Sequence, residues 1–310
     1  MPTFASDTSS WPRIDVGVTS GDPRTRADCA RWHSRTELRL LAHEIREGVV
    51  GWALDDASHP YHLGGSLSCA DILAVLYNDV MHHAADCDDP SDRDRFVLSK
   101  GHAALALYPA LRQVGLVTNA DFEKGLFGPD AVLFKEPRRD MARGIEMTSG
   151  SLGMGLAYSC GIALAKVRAG LGGRIFCLMG DGECNEGSVW EAAAFAGHNR
   201  LANLVAIIDL NGLQLDAPTS EVLDVGSLTT TFASFGFDTE TVDGHDVIAL
   251  RTALARVGTR PRAILAHTVK GKGVTAGENC VEWHDILLDD EQRSLVAAEL
   301  MAGQAAIERG

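Results

Sequence analysis

The apolar run Ile175-Phe176-Cys177-Leu178-Met179 passes directly into Gly180-Asp181-Gly182. A second apolar run, Leu204-Val205-Ala206-Ile207-Ile208, leads to Asp209-Leu210-Asn211-Gly212. Uninterrupted apolar strands separated by a helix-length segment suit a parallel sheet buried on both faces. Asp181 and Asn211 then stand at the carboxyl ends of adjacent strands. Their oxygens can hold a hard divalent cation such as Mg²⁺, which keeps room in its octahedron for phosphate oxygens. The glycines let the backbone come close to that phosphate, and the helix start at Glu183 to Ser188 supplies free N–H groups. A Gly-Asp-Gly alone is common in strand-to-turn contexts. The strand before it, the helix after it and the Asn closing the next strand together read as a metal–diphosphate site.

The rest of the chain fits the same architecture. Helical periodicity is expected from about Arg31 to Leu54, with Leu38, Leu40, Leu41, Ile45 and Val49 in helical spacing. A second helix is expected from about Ser68 to Val80, with Ser68 as N-cap and Asp71 three residues on. A short strand spans Arg95 to Ser99 and a helix Ala103 to Val114. Residues 118–147 read as irregular apart from a short helix near Asn119 to Gly125. A glycine-broken helix, Leu152 to Ala169, precedes the Asp181 strand. Strands 204–209, 238–242 and 263–269 then alternate with helices near 227–235 and 246–257, and a helix over 289–309 follows. The expected fold is α/β: three layers, a mainly parallel sheet with helices on both faces. Residues 1–27, rich in Ser, Thr, Asp and Pro, read as a flexible leader, and 28–310 as a single domain.

A chain of 310 residues with 45% hydrophobic and 23% charged residues can bury a large core, and its net charge of -14 argues against nucleic-acid or anionic-membrane binding. A diphosphate must therefore be received by a metal and local donors, not by a general positive field. No apolar run approaches a membrane span and Met1 to Ser20 carries no signal-peptide core. Seven cysteines at 29, 69, 87, 160, 177, 184 and 280 form no CxxC pair and read as reduced thiols of a cytoplasmic protein. Cys184 is the one to examine for reactivity.

Beyond the Gly-Asp-Gly and Asn211 pair, four further segments carry a resemblance. Asp94-Arg95-Phe96-Val97-Leu98-Ser99-Lys100-Gly101-His102-Ala103, Ser149-Gly150-Ser151-Leu152-Gly153 and Lys270-Gly271-Lys272-Gly273 with Trp283-His284 are, with His62-Leu63-Gly64-Gly65, similar to the amino-terminal half of transketolases. The resemblance covers residues 35 to 285 and implies thiamine diphosphate and Mg²⁺ (or Ca²⁺ or Mn²⁺ as substitutes) as cofactors. It implies Asp181, Asn211 and the main-chain carbonyl of Leu213 as metal ligands. Gly182, His102 and His284 would adjoin the diphosphate, while Gly150 and Leu152 would pack on the aminopyrimidine side. Glu186 and Glu191 match carboxylates at a subunit contact beside the cofactor. For Glu191, a solvated helix carboxylate is an equal reading.

The reaction implied is transfer of a two-carbon ketol unit from a ketose (phosphate) to an aldehyde, a transferase activity. His62 and His284 are the candidates for proton exchange, with His102 and Glu186 completing the catalytic set. The family's cofactor-activating glutamate belongs to a second, pyrimidine-binding domain with no counterpart here. The expectation is a split enzyme of α2β2 stoichiometry, whose partner, a carboxy-terminal transketolase subunit, completes the site. Two departures stand out: Tyr61 and Leu63 flank His62 where Gly and Pro are usual, and Glu136 stands near the place of a substrate-facing histidine. Either donor recognition differs, or Lys135, Arg138 and Arg139 offset the carboxylate. Another thiamine diphosphate transferase with a non-sugar substrate, or a non-catalytic partner protein, are the rival readings.

Overall fold

The computed structural model describes residues 32–84 and 87–309. The leader expected over residues 1–27 lies outside the described residues. Strands β1 (Arg95–Leu98), β2 (Ile175–Gly180), β3 (Leu204–Leu210), β4 (Asp238–Asp243) and β5 (Arg262–His267) form a sheet in the order β1-β2-β3-β5-β4, with every neighbouring pair parallel. The register sets Gly180 beside Asp209, so the ends of β2 and β3 lie side by side as the sequence implies.

Because side chains alternate across a strand, each central strand feeds two cores. Phe96, Leu98, Phe176, Leu178, Val205, Ile207 and Ile264 point to one face, under helices Arg35–Asp55, Ala70–Val75, Ala104–Gln113 and Val247–Ala255. Val97, Ile175, Cys177, Met179, Ala206, Ile208 and Leu265 point to the other, under Met154–Ala169, Gly187–His198 and Leu228–Ser234. The outer strand β4 is half exposed and carries Asp238, Glu240 and Asp243, charges that protect a sheet edge from further pairing.

Local chemistry sets the helix ends. Ser34 caps Arg35–Asp55 through the Glu37 N–H (3.2 Å) while Glu37 accepts from the Ser34 N–H (2.6 Å), a reciprocal cap. Asp289 and Gln292 do the same for Asp290–Glu308. Ala104–Gln113 contains Pro109, whose ring is accommodated by Gly48 on the facing helix: a Cβ there would lie 2.6 Å from the ring.

One expected helix is built differently. The chain turns helical at Gly64–Leu67, breaks at Ser68 and Cys69, resumes over Ala70–Val75 and widens into a π turn at Leu76–Val80. Ser68 is not an N-cap; its hydroxyl donates to the Gly65 carbonyl (3.1 Å) and to Asp209 Oδ2 (2.5 Å). Asp71 does not cap either. It pairs with Arg46 Nη2 (2.5 Å) and faces His245 Nδ1 (2.8 Å), tying three segments together beneath the sheet's carboxyl edge.

Candidate active site

In an open parallel sheet, ligands bind in the crevice beyond the carboxyl ends of the strands. Here β1 runs out into Ser99-Lys100-Gly101-His102, β2 into Asp181-Gly182, β3 into Asn211-Gly212-Leu213 and β5 into Thr268-Val269-Lys270. Every segment singled out from the sequence therefore arrives at one edge, or packs against it.

Asp181 is 3% exposed. Its Oδ1 accepts from the Gly182 N–H (2.8 Å) and its Oδ2 from the Gly212 N–H (2.6 Å) and Thr219 hydroxyl (3.4 Å). Burial, and then the neighbouring Asp209 carboxylate, raise its pKa above the ordinary carboxylate range, while those N–H donors and Lys100 pull it back. A buried carboxylate held up in this way gains from a cation beside it. Asn211 Oδ1 accepts from the Leu213 N–H (3.1 Å), which fixes the amide at the end of β3. Carboxylate, amide and main-chain oxygens are a hard donor set, matched to Mg²⁺-type cations rather than to thiophilic ones. A Cβ placed on Gly180 or Gly212 meets nothing within 4 Å, so the space beside the two strand ends is open, whereas Gly182 is covered by the Gln214 side chain. The residues present fit a bound cation and phosphate.

The sequence reading missed what holds this edge together. Asp209, fully buried, pairs with the buried Lys100 ammonium and accepts from the Ser68 and Thr268 hydroxyls. Burial alone would lower the Lys100 pKa, but Asp209 more than offsets it and the ammonium is held charged. Glu183, 2% exposed, accepts from the Ser99 hydroxyl, the Gly153 N–H (2.8 Å) and the Gly180 N–H (3.1 Å). One carboxylate thus joins the ends of β1 and β2 to the Ser149–Gly153 loop. Burial raises its pKa, with Ser99 the largest opposing influence. Cys184 is fully buried and its thiol is pushed well up by burial, so it is a core residue and not a nucleophile.

The three histidine segments meet. Ring centroids lie 5.1 Å apart for His102 and His284, 5.4 Å for His62 and His284, and 6.0 Å for His62 and His102. Two glycines allow this: a Cβ on Gly65 would be 2.9 Å from the His102 ring, and one on Gly64 2.8 Å from the Trp283 carbonyl. Tyr61 and Ile286 lock the outer segments by a pair of antiparallel bonds (2.9 and 3.0 Å). His62 Nδ1 donates to the His284 carbonyl (3.1 Å), which turns Nε2 toward Glu136. Burial, then Lys270 and His62, lower the His284 pKa to about 4, and burial, then Lys100 and His284, hold His102 well below its ordinary range. Both rings are neutral at pH 7. Lys270, 1% exposed, is lowered to about 8 by burial and Lys100, and donates to the Gln214 carbonyl (2.9 Å).

Glu136 enters the same cluster, with Oε1 3.3 Å from His62 Nε2. Lys135 does not offset it, being paired with Asp285 (2.7 Å), and Arg138 stacks on Phe134 (3.9 Å). Glu186 and Glu191 are exposed, as is Gly150, and Leu152 is half-buried. Glu186 stands at the N-cap of Gly187–His198 without a side-chain capping bond. Among the described residues, no helix is long and apolar enough to cross a membrane.

The chain matches known proteins over most of its length. The family model for the transketolase thiamine diphosphate binding domain matches residues 49–300. An apulose-4-phosphate transketolase subunit of Phocaeicola vulgatus is 38% identical over 227 residues, 72% of this chain and 80% of the relative. The 6-deoxy-6-sulfo-D-fructose transketolase subunit SqwG of Clostridium sp. is 39% identical over 246 residues, 77% of this chain and 88% of the relative. Among solved structures, transketolase from Campylobacter jejuni superposes with a TM-score of 0.73 at 26% identity, covering 88% of this chain and 45% of that one. The chain spans most of the subunit-type relatives but about half the length of the solved transketolase.

Proposed function

This chain belongs to the transketolase family, and we propose that it is the amino-terminal, diphosphate-binding subunit of a two-component transketolase that moves a two-carbon ketol unit from a ketose (phosphate) donor to an aldehyde. The observation that carries this reading is the convergence of His62, His102 and His284 within 6.0 Å, at the sheet edge that also presents Asp181 and Asn211.

Bound thiamine diphosphate supplies the carbon nucleophile that carries the ketol unit. Asp181, Asn211 and the Leu213 carbonyl would hold Mg²⁺, with Gly182, His102 and His284 beside the diphosphate and Gly150 and Leu152 toward the pyrimidine. His62, fixed by the Nδ1 bond to the His284 carbonyl, and the neutral His284 ring would take and return a proton at a substrate hydroxyl. The low proton affinity of His284 keeps its ring available as a base near pH 7. Glu186 and Glu191 would act at a subunit contact.

The partner proposed is a carboxy-terminal transketolase subunit carrying the pyrimidine-binding domain, in an α2β2 assembly. Supporting this, Met154 (48% exposed), Tyr158 (37%) and Phe195 (43%) lie on the two packed helices Met154–Ala169 and Gly187–His198, next to Glu186. Large apolar side chains left in solvent beside a candidate site mark an interface. The relatives above are named as subunits, for sugars bearing a phosphate or sulfo group.

Calorimetric titration of Mg²⁺–thiamine diphosphate into the chain alone and into the reconstituted pair tests the reading, together with ketol transfer from fructose 6-phosphate or xylulose 5-phosphate. Weak binding and no turnover alone, with tight binding and turnover as a pair, is the expected result. A pair that binds no cofactor would refute it.

A further inference from the structure

Glu136 is held from both sides. The Tyr108 hydroxyl donates to the Phe134 carbonyl (2.7 Å), the Ser149 N–H donates to the Pro137 carbonyl (3.2 Å), and Lys135 is tied to Asp285. The carboxylate is thereby pressed between Gly101, Gly150 and His62: a Cβ on Gly101 would lie 2.5 Å from Oε2, and one on Gly150 3.7 Å from it. Oε1 faces His62 Nε2 at 3.3 Å, whereas Oε2 is shielded from solvent and has no hydrogen-bond partner among the described residues.

A carboxylate offers about four acceptor positions, and no described residue fills those of Oε2. Of the flanking cations, Lys135 serves Asp285 and Arg138 lies on the Phe134 ring. A carboxylate short of hydrogen-bond donors favours a ligand that brings one to its accessible side. The side chain as a whole is 40% exposed, so the carboxylate can be reached although Oε2 itself is shielded.

Its neighbourhood sharpens the preference. Asp285 Oδ1 lies 3.6 Å from the other ring nitrogen of His62, so this histidine stands between two carboxylates at the mouth of the cluster. A neutral group with hydroxyl hydrogens is accepted beside such a pair. A second carboxylate brought to the same place is repelled, and finds Lys135 and Arg138 already engaged.

We propose that Glu136 is a specificity-determining residue: its carboxylate accepts a hydroxyl hydrogen from a neutral ketose end of the donor and rejects 2-oxo acid donors that present a carboxylate there. The inference rests on the transketolase reading above and deepens it by naming a residue that selects the donor. The phosphate or sulfo group of a sugar is compatible with it, provided that group lies at the far end of the donor from Glu136.

The test uses the reconstituted pair with kcat/KM measured for fructose 6-phosphate and for hydroxypyruvate. Glu136→Gln removes the charge and keeps the shape, and is expected to shift the ketose-to-oxo-acid ratio toward hydroxypyruvate by about tenfold or more. Glu136→Asp retains the charge and should keep the ketose preference even where the overall rate falls. Cofactor titration of each variant separates donor selection from damage to the site. A ratio unchanged within about twofold in Glu136→Gln, with cofactor binding intact, overturns the inference and leaves the transketolase reading standing. An equal shift in both variants overturns it as well, since packing and not charge would then set the preference. Absence of cofactor binding by the unmodified pair overturns the reading beneath it, and the inference with it.

Discussion

Replacing Lys100 by Met is the most demanding test of how the sheet edge is organised. Lys100 and Asp209 are 1% and 0% exposed, and the pair sits beneath the metal-loop residues Asp181 and Asn211. Methionine fills much of the lysine volume but leaves the Asp209 carboxylate buried with no cation. Breaking a buried pair on one side costs about 3–5 kcal/mol. The Ser68 and Thr268 hydroxyls still donate to Asp209, which places the expectation near the lower end, at about 3 kcal/mol. That is a large fraction of the ~5–15 kcal/mol of a native chain, and should move the urea midpoint down by on the order of 1 M. Lys100→Met/Asp209→Asn leaves no charge unpaired, so it should recover part of the loss. A single variant costing under about 1 kcal/mol, or a double variant no better than the single, would show that the ion pair does not organise this edge.

The lowered His284 and His102 give a pH signature. A histidine depressed in the folded state contributes stability that is complete above its unfolded value of 6.5 and is lost as pH falls toward the folded value, about 4 for His284. Discounted for its half-exposed position, that is roughly 1–2 kcal/mol, seen as a falling thermal midpoint between pH 7 and 5 that His284→Asn should flatten. Gly65→Ala places a methyl 2.9 Å from the His102 ring. It should leave circular dichroism unchanged while weakening cofactor binding at least about tenfold, and an unchanged calorimetric affinity would refute the packing argument. Glu183→Gln presents an NH₂ group where only donors approach. It should cost ~1–3 kcal/mol and loosen residues 149–153, read as faster amide exchange there; protection equal to the parent would remove Glu183 from its assigned role.

The strands were legible because both-face burial leaves uninterrupted apolar runs, and β2 and β3 fall within a residue or two of their expected limits. The helix ends were legible where the cap is local, as at Asp289. They were misread where a tertiary partner claims the capping side chain. Ser68 looks like an N-cap in sequence, but its hydroxyl is drawn to Asp209, 141 residues away. The same distance hides the Lys100–Asp209 pair, separated by 109 residues, and the reach of Glu183 back to Gly153. No periodicity encodes such pairings. The placing of Asp181 and Asn211 at adjacent strand ends was readable because each follows closely on an uninterrupted apolar run. The meeting of His62, His102 and His284 came only from resemblance, since it depends on Gly64 and Gly65 permitting contacts between segments far apart in the chain.

The candidate site residues divide into two groups by what surrounds them, and the division argues for a shared active centre. Asp181, His102 and His284 each have their partners, or the causes of their altered acidity, within this chain. A change to any of their neighbours should therefore be felt by the isolated subunit, in stability or in cation affinity. Glu186, Glu191 and Gly150 are exposed, beside helices that leave Met154, Tyr158 and Phe195 in solvent. If they act in catalysis, their ordering must come from the covering subunit, so Glu186→Ala should leave the stability of the isolated chain within about 0.5 kcal/mol of the parent and impair only the assembled pair. A loss of stability in the isolated chain would instead make Glu186 a structural residue of this domain, and would remove it from the divided site.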